Sequence, residues 1–346
     1  MPSPSLLDLS YDALESLVAS LGQPAYRAGQ IWHALYRDLA ASTDDMTTLP
    51  KGLRAALAAI HRVDPLEEIA EQRSADGRTR KRLYRLEDGE TVESVTMAYD
   101  DRCTVCVSTQ VGCPMNCKIC ATGQSGFVRN LSVGEIVSQA LDAARAFAAQ
   151  GDRLSNLVYM GMGEPFANYE ATLGSIRVLN DPRGFRLGAR SFTISTVGVV
   201  PGIERLAREG VQVNLAVSLH AADDALRSEL VPANRTYPLA RLLEACRTYV
   251  AETNRRITFE MALIDGVNDG DVHARRAADL LAGLLCHVNL IPFNPVPGRS
   301  WTGSRPERIT RFSEILSGAG IPVSVRHSRG SDIEAGCGQL RERRGR

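Results

Sequence analysis

The sequence predicts an α/β protein, in which a parallel sheet of six βα units follows a small helical region and a β-hairpin. Three observations support this prediction: helical period in residues 1–60, alternation in residues 80–98, and alternating strand-like and helix-like segments from residue 103 onward. The predicted strands of the main domain lie at 103–109, 155–160, 191–197, 213–219, 257–264 and 287–292. The predicted helices lie at 132–150, 168–180, 201–209, 238–253, 271–285 and 306–318.

The residues before the first βα unit predict an accessory region. Residues 1–60 have the pattern of three short amphipathic helices, the first capped by Ser10 and the third following Pro50. Residues 80–98 alternate on either side of Asp88-Gly89, which is typical of a hairpin. We therefore divide the chain into a helical accessory domain at 1–75, a hairpin linker at 76–98 and a main domain at 99–340.

Composition and charge are those of an ordinary globular protein. The chain is 44% hydrophobic and 23% charged, with a formal net charge of zero. No stretch approaches the roughly 20 apolar residues of a membrane span, and no signal-peptide pattern is present, so a cytoplasmic location without membrane contact is expected. Arginines cluster in two places, where they could contact phosphate or form a solvated surface. They are Arg73, Arg78, Arg80, Arg82 and Arg85, and Arg341, Arg343, Arg344 and Arg346.

Three of the eight cysteines, Cys113, Cys117 and Cys120, form a CxxxCxxC motif. This spacing favours metal ligation in a reducing compartment over disulfide bonds. Thiolates are soft ligands that suit zinc or an iron–sulfur cluster. A closed tetrahedral site needs four ligands and the motif supplies three, which leaves a position open for chemistry.

Polar and glycine-rich segments follow the predicted strands at the same end. Because active sites of parallel α/β sheets lie at the carboxyl ends of the strands, these segments predict one shared site. They are the three-cysteine loop after the first strand, 161–165 after the second, 195–198 after the third, 218–220 after the fourth and 293–295 after the sixth.

The cysteine motif, followed by a Gly-Glu segment at the next strand end, resembles the radical S-adenosylmethionine (SAM) superfamily. The resemblance implies a partial (β/α)6 TIM-like barrel. It also implies one [4Fe–4S] cluster held by Cys113, Cys117 and Cys120, with SAM on the fourth iron. Ile119 departs from the aromatic residue common before the last cysteine, but it still offers an apolar side chain to shield a cluster.

The resemblance is closer to the RlmN family and covers nearly the whole chain. That family methylates carbon 2 of adenosine 2503 in 23S rRNA and of adenosine 37 in tRNAs, using two SAM molecules per turnover. Its helical accessory domain is implied to bind RNA. The matching segments are 22–31, 46–50, 92–95, 106–113, 161–165, 231–232, 266–269, 291–295 and 331–340.

The resemblance assigns three catalytic roles. Cys337 matches the cysteine that becomes S-methylated and then adds to the base as a methylene radical. Cys106 matches the cysteine that resolves the resulting RNA–protein adduct by forming a transient disulfide with Cys337. Glu93 matches the proton acceptor. Strand alternation places Cys106 on a polar face with Thr104 and Ser108, whereas Cys103 falls on the apolar face.

The resemblance also implies which residues contact SAM. Gly163 and Glu164 match the segment that receives its amino group. The ribose, carboxylate and adenine contacts match Ser195, Ser218, Leu219, His220 and Asn294. Alternation puts Ser218 and His220 on one strand face with Asn214 and Ala216, as expected for a barrel lumen.

The RlmN resemblance also implies partners, and two other classes of protein share part of the residue pattern. The family implies 23S rRNA and tRNA as substrates, an electron-donating reductase such as flavodoxin or ferredoxin, and a monomeric chain. One alternative is a Cfr-type enzyme that methylates carbon 8 of the same rRNA adenosine, since the catalytic residues are shared. Another is a zinc-stabilised RNA-binding protein with Cys106 as the fourth ligand, although zinc would leave Cys337 unexplained.

Overall fold

The computed structural model describes residues 4–326 and 329–340, so the four terminal arginines from Arg341 lie outside the described residues. Its α-helices are α1 Tyr11–Ser20, α2 Tyr26–Tyr36, α3 Lys51–Ile60, α4 Ala121–Ser125, α5 Val133–Ala148, α6 Tyr169–Asn180, α7 Val200–Arg208, α8 Asp224–Leu230, α9 Leu239–Thr253, α10 Asp271–Leu281 and α11 Pro306–Gly318. Its strands are β1 Glu67–Arg73, β2 Thr79–Arg85, β3 Thr91–Ala98, β4 Cys103–Cys106, β5 Gln110–Gly112, β6 Phe127–Asn130, β7 Leu154–Tyr159, β8 Phe192–Thr196, β9 Asn214–Ser218, β10 Ile257–Leu263, β11 Cys286–Pro292 and β12 Val323–Val325.

One ten-stranded sheet forms the centre of the described structure. Its strand order is β1-β2-β3-β4-β7-β8-β9-β10-β11-β12, and the run from β4 to β12 is parallel. The six predicted strands are confirmed as β4 and β7 to β11. The short seventh parallel strand, β12, was not predicted, because three residues are too few to show a period.

The parallel strands curve into a partial barrel. Side chains from five consecutive strands line one polar cavity, which a flat sheet could not arrange; they are Val158, Thr193, Ala216, Thr258 and Asn289. The opposite face of the sheet carries the apolar core against the helices. The barrel is open, with β1 and β12 as the two edges of the sheet. The predicted partial (β/α)6 fold is therefore confirmed.

The predicted hairpin is part of the main sheet. Strands β2 and β3 pair in antiparallel register, and β3 pairs with β4, so that Val95 lies opposite Cys106. Strand β1 adds a third antiparallel strand within the region predicted to be helical. Its sequence, Glu-Glu-Ile-Ala-Glu-Gln-Arg, has too few apolar residues to indicate a strand, and its pairing with β2 supplies what the pattern lacks.

The arginines of this antiparallel region are largely paired with carboxylates. Arg82 is buried, donates through Nε to Glu71 Oε2 at 3.0 Å, and also pairs with Asp142 on α5. Arg78 and Arg85 pair near the surface with Asp100 at 2.6 Å and Glu67 at 3.1 Å, respectively. Much of the positive charge of this arginine cluster is therefore neutralised locally, and Arg82 links β2 to α5.

The N-terminal helices pack directly on the barrel. The Ser10 side chain caps α1 as predicted. Asp8 accepts a hydrogen bond from the Gly134 N–H at the start of α5 at 2.6 Å. Trp32 and Tyr36 are each 1% exposed and belong to the same continuous apolar core as the sheet and its helices. No helix among the described residues is both long and apolar enough to cross a membrane.

Candidate active site

The carboxyl ends of the parallel strands surround a cavity of about 1020 Å³, measured to its open mouth, which we call the main cavity. Most of the sequence-predicted residues line it. They are Cys113, Cys117, Cys120, Gly163, Glu164, Ser195, Ser218, His220, Asn294 and Cys337.

The three motif cysteines lie on a loop closed by the small β5–β6 hairpin. The Cys113 N–H donates to the Gly126 carbonyl at 2.7 Å, which brings the two ends of the loop together. Burial raises the pKa of Cys113 to about 12 and that of Cys117 well above its usual value. A cation is therefore needed to ionise these thiols, as metal binding does.

The donor set of this loop fits a cluster. Three soft sulfur atoms line one part of the cavity, and other residues form the rest of its wall. Among the described residues, no three His, Cys, Asp or Glu side chains converge closely enough to share a single metal ion. A [4Fe–4S] cluster would be held by Cys113, Cys117 and Cys120.

Glu164 is a buried carboxylate at the end of β7. Its Oε1 accepts from the Phe166 N–H at 3.1 Å and its Oε2 from the Val197 N–H at 2.9 Å. Burial raises the pKa of Glu164 to about 7, although these hydrogen bonds oppose the rise. Gly163, at φ +103°, turns the chain in front of Gln110, and its close approach leaves no space for a side chain. The segment presents one carboxylate that a bound ammonium would keep ionised.

His220 presents a hydrogen-bond donor to the main cavity. Its Nδ1 accepts from the Ala262 N–H at 3.1 Å, so Nδ1 carries no proton and Nε2 carries one. Burial, assisted by Arg227, lowers the pKa of His220 to about 3, so the ring is neutral at physiological pH. The backbone there has φ +59°, which ends the strand direction and turns the ring inward.

The remaining predicted SAM contacts differ in position. Ser195, Ser218 and Asn294 line the main cavity, as the lumen prediction requires. Leu219 does not: its side chain is fully buried, its N–H donates to the Glu260 carbonyl at 3.0 Å, and its carbonyl accepts from Arg227. Leu219 therefore shapes the turn between Ser218 and His220, while the structure gives its side chain no access to the cavity.

The C-terminal segment, residues 329–340, is hydrogen-bonded to the cysteine loop. The Ala121 N–H donates to the Gly338 carbonyl at 2.7 Å, and the Thr122 hydroxyl donates to the Leu340 carbonyl. Asn294 Nδ2 donates to the Cys337 carbonyl at 3.1 Å. Gly338, at φ +80°, comes so close to Ile119 that a Cβ would lie 2.9 Å from its carbonyl oxygen. These contacts place Cys337 beside the motif cysteines.

Cys337 also borders a second cavity of about 1040 Å³, measured to its mouth, which we call the adjacent cavity. Met160, Ile291 and Cys337 line both cavities, and Cys106 lines the adjacent one. Cys337 is exposed to these two spaces, yet the surrounding protein raises the pKa of its thiol. Burial, with Cys337 contributing, raises the pKa of Cys106 to about 12. The structure thus brings Cys106 and Cys337 to one cavity.

Glu93 lies on the same sheet face as Cys106 but behind the cavity surface. It stands two residues before Val95, the residue opposite Cys106 in the β3–β4 register. It is 2% exposed and lines neither cavity. Its Oε1 lies 3.5 Å from the Nζ atom of Lys81.

Sequence reasoning missed Arg227, a fully buried arginine on α8. Its guanidinium donates to the carbonyls of Val197 at 2.7 Å, Ser218 at 3.0 Å and Leu219 at 3.0 Å. Burial lowers its pKa to about 10. Arg227 therefore holds the ends of β8 and β9 together beneath the cavity. In the sequence, Arg227 is marked only by its position shortly before Val231-Pro232, which match the RlmN family. Nothing in that pattern indicates that Arg227 is buried.

Sequence reasoning also missed Glu260 on β10. This carboxylate lines both the main cavity and the polar cavity below it. Its Oε1 accepts from Asn289 at 2.9 Å and lies 3.7 Å from Arg326, and its buried Oε2 has no hydrogen-bond partner in the described structure. Burial raises the pKa of Glu260. The Phe-Glu-Met sequence around Glu260 predicts a strand. Side-chain alternation, which places Glu260 on the inward face of that strand, was the only sequence signal for its position in the cavities.

Known proteins share the sequence and the fold of this chain. The family profile described as the radical SAM superfamily matches residues 107–277, and that of the ribosomal RNA large subunit methyltransferase N-terminal domain matches residues 5–63. The crystal structure of a radical SAM methyltransferase from Sphaerobacter thermophilus is 55% identical, with a TM-score of 0.97, 98% of this chain and 99% of that chain being covered. Fold and site therefore define a radical SAM protein.

Relatives of known name narrow the class to a family. A probable dual-specificity RNA methyltransferase RlmN from Chloroflexus aurantiacus is 53% identical, over 97% of this chain and 92% of the relative. The dual-specificity RNA methyltransferase RlmN 1 from Myxococcus xanthus is 48% identical, over 99% of this chain and 97% of the relative. The chain belongs to the RlmN family.

Proposed function

We propose that this protein methylates carbon 2 of adenosine in RNA, at adenosine 2503 of 23S rRNA and adenosine 37 of tRNAs, with two SAM molecules per turnover. The observation that carries the proposal is the position of Cys337 in the wall shared by two cavities. One cavity holds the three motif cysteines and the other holds Cys106. A residue in that position can take a methyl group from one side and deliver it on the other.

The main cavity would hold the cofactors. When bound there, the cluster and SAM supply a 5′-deoxyadenosyl radical. Gly163 and Glu164 would receive the SAM ammonium, because Glu164 is a buried carboxylate whose ionised form needs a cation nearby. His220 would donate through Nε2 to an acceptor on SAM, and Ser195, Ser218 and Asn294 would complete the contacts. Leu219 would contribute through the turn that it shapes.

The adjacent cavity would receive the target base. Its walls include the apolar side chains of Val95, Met97 and Ile291, which suit the faces of a purine. Once the methylene carried by Cys337 is bonded to carbon 2, the radical adduct must give up one electron, which the cluster would accept when bound, and Glu93 takes the ring proton. Cys106, as a thiolate, then attacks the sulfur of Cys337, so that an S–S bond forms, the S–CH₂ bond breaks, and the released carbon takes up a proton to become the methyl group. An adenosine must leave its stack to reach this position.

The accessory domain and partners belong to the same proposal. The family profile matched at 5–63 supports an RNA-binding role for the helical region at 1–75, followed by the hairpin linker at 76–98 and the catalytic domain at 99–340. A reductase such as flavodoxin or ferredoxin would supply electrons. We further propose that the chain acts as a monomer in the cytoplasm.

Nucleoside analysis tests the proposal. The anaerobically purified protein is incubated with SAM, a reductant and fragments of 23S rRNA or tRNA, and the digested RNA is analysed by mass spectrometry. We expect 2-methyladenosine from the native protein and none from a Cys337→Ala control. Formation of 8-methyladenosine alone would support the Cfr-type reaction instead. The N-terminal family match favours carbon 2.

Metal analysis tests the cofactor. We expect about four irons per chain and a brown protein, since [4Fe–4S] clusters are held by cysteine thiolates. A Cys120→Ala variant should lose most of this iron, whereas Cys246→Ala, at a buried core thiol, should retain it. Zinc in place of iron would contradict the cluster assignment.

A further inference from the structure

A buried lysine contacts both Glu93 and the C-terminal segment that carries Cys337. Lys81 on β2 is 4% exposed. Its Nζ atom lies 3.5 Å from Glu93 Oε1 and donates to the Glu334 carbonyl at 3.3 Å. One ammonium group therefore joins a carboxylate of the sheet to a turn that lies three residues before Cys337.

The sheet register places Lys81 in the same row as Cys106. Lys81 lies opposite Val95, and Val95 lies opposite Cys106, so all three side chains share one face. With neighbouring strands 4.7–4.9 Å apart, the backbones of Lys81 and Cys106 are about 10 Å from each other. The C-terminal segment packs on this face, since a Cβ at Gly330 would lie 2.8 Å from the Thr79 side chain.

Burial of an ammonium group is costly unless its partners compensate. Removing one partner of a buried ion pair leaves an isolated charge, whereas a pair of apolar residues would pack at little cost. A lysine is therefore a poor choice if this position only needs to be filled. It suits the position if two polar groups from different parts of the chain must be held at a fixed separation.

We propose that Lys81 is a positioning residue, which holds the proton acceptor Glu93 and the Cys337 segment in register across the adjacent cavity. This inference rests on the proposed function, because it takes Glu93 as the group that receives the ring proton. Lys81 exchanges no proton or electron in the step.

The first test measures amide hydrogen exchange of the C-terminal segment in cluster-free protein. Lys81→Met is compared with Lys81→Arg and with Arg80→Met, which removes a cation from the opposite face of the same strand. We expect amide hydrogen exchange in residues 331–336 to be at least tenfold faster in Lys81→Met, intermediate in Lys81→Arg and unchanged in Arg80→Met. Equal exchange in all the variants would overturn the proposal.

The second test follows the covalent intermediate in cluster-loaded enzyme with SAM and RNA. We expect Lys81→Met to methylate Cys337 normally but to resolve the RNA–protein adduct at least tenfold more slowly, with an unchanged KM for RNA. Normal resolution would overturn the proposal, even with faster exchange of the segment, because Lys81 would then have a structural role only.

A parallel Glu93→Gln variant separates this inference from the proposed function. If Glu93→Gln accumulates the adduct and Lys81→Met does not, the inference on Lys81 alone is wrong. If Glu93→Gln turns over normally, the assignment of Glu93 as proton acceptor is wrong. If Lys81→Met does not fold, Lys81→Arg replaces it in this comparison, since arginine keeps the charge but moves its hydrogen-bond donors. Resolution of the adduct several-fold slower than in the native protein would support the proposal. Resolution at the native rate would overturn it.

Discussion

Cys106 and Cys337 are thiols in a setting that keeps them protonated. Burial raises the pKa of Cys106, and the protein that surrounds the two cavities raises that of Cys337, while the guanidinium of Arg326 opposes the rise at both thiols. Arg326 itself lines the adjacent cavity. Because only a thiolate attacks sulfur, the proposed resolving step would depend on local charge as well as on the distance between the two cysteines. Among the described residues, Arg326 is a cation whose charge lowers the pKa of both thiols.

Replacement of Cys106 by alanine should trap the RNA adduct. Without the attacking thiol, the bond between Cys337 and the base cannot be broken, so we expect cross-linked RNA to accumulate on denaturing gels while iron content is unchanged. Cys103→Ala is the matched control, because Cys103 is buried on the same strand but lines neither cavity. Normal turnover of Cys106→Ala without cross-linked RNA would refute its resolving role.

Glu164 should make the stability of the cluster-free protein depend on pH. Its pKa is raised from 4.5 to about 7 on folding, so the folded state binds the proton more tightly than the unfolded state. The free energy of unfolding should therefore fall as pH rises from 4.5 to 7, by about 3 kcal/mol at 1.36 kcal/mol per pH unit.

A Glu164→Gln variant isolates this contribution. Glutamine keeps the shape of the side chain and does not titrate in this range. We expect the unfolding free energy of the variant, relative to the native protein, to improve by roughly 3 kcal/mol between pH 4.5 and pH 7 in urea titrations. Parallel pH profiles for the two proteins would contradict the raised pKa.

Single residues differed in how well the sequence revealed them. Cys113, Cys117 and Cys120 stand out by spacing, and alternation placed Ser218 on the lumen face. Lys81 and Arg227 could not be found in this way, because a basic residue on a strand or a short helix is ordinarily solvated. Their burial results from contacts with segments distant in sequence, which periodicity does not record.

At the scale of elements, the antiparallel region depends on one buried cation. Arg82 joins β2 to α5 through Asp142 and to β1 through Glu71. We expect Arg82→Met to lower the free energy of unfolding by about 3 kcal/mol, since it leaves the partly buried carboxylate of Asp142 without its cation, whereas Glu71 keeps its pair with Arg73. Arg85→Met, which removes an exposed pair with Glu67, should cost less than about 1 kcal/mol. Equal losses in chemical denaturation would contradict this difference.

The hydrogen bonds from α4 should control access to Cys337. Thr122→Val removes the hydroxyl that donates to the Leu340 carbonyl while keeping the shape of the side chain. We expect alkylation of Cys337 by iodoacetamide to be several-fold faster in cluster-free protein, because net hydrogen-bond contributions near 1 kcal/mol correspond to about fivefold in an opening equilibrium. Ser125→Ala, on the same helix, is the control, because the Ser125 hydroxyl donates to the Ala121 carbonyl within α4.

Elements were predictable where the pattern was long. All six main strands and the helices from α5 to α11, except for the seven-residue α8, were located from their period. The short β5–β6 hairpin was not predicted, and in the ten-stranded sheet β1 and β12 were missed, the first because its residues are mostly charged and the second because it is three residues long. Both are edge strands, whose extended conformation is stabilised by pairing with a neighbouring strand rather than by local sequence preference.

At the scale of the whole molecule, the N-terminal helices and the barrel share one apolar core. Removal of residues 1–63 would expose the surface against which Trp32 and Tyr36 pack. We therefore expect a 64–346 variant to yield little folded protein, as measured by circular dichroism and gel filtration of the soluble fraction. A well-folded truncation that only loses RNA affinity would show that the region is an independent module.

The contacts between the C-terminal segment and α4 couple the position of Cys337 to the shape of the cysteine loop. The Gly338 carbonyl accepts its hydrogen bond from the residue directly after Cys120, so a shift of that loop is passed to the backbone beside Cys337. Cys337 stands in the wall between the two cavities, and its place there depends on the loop that carries the three motif cysteines. Any distortion of the cysteine loop would therefore change the lining of both cavities at once.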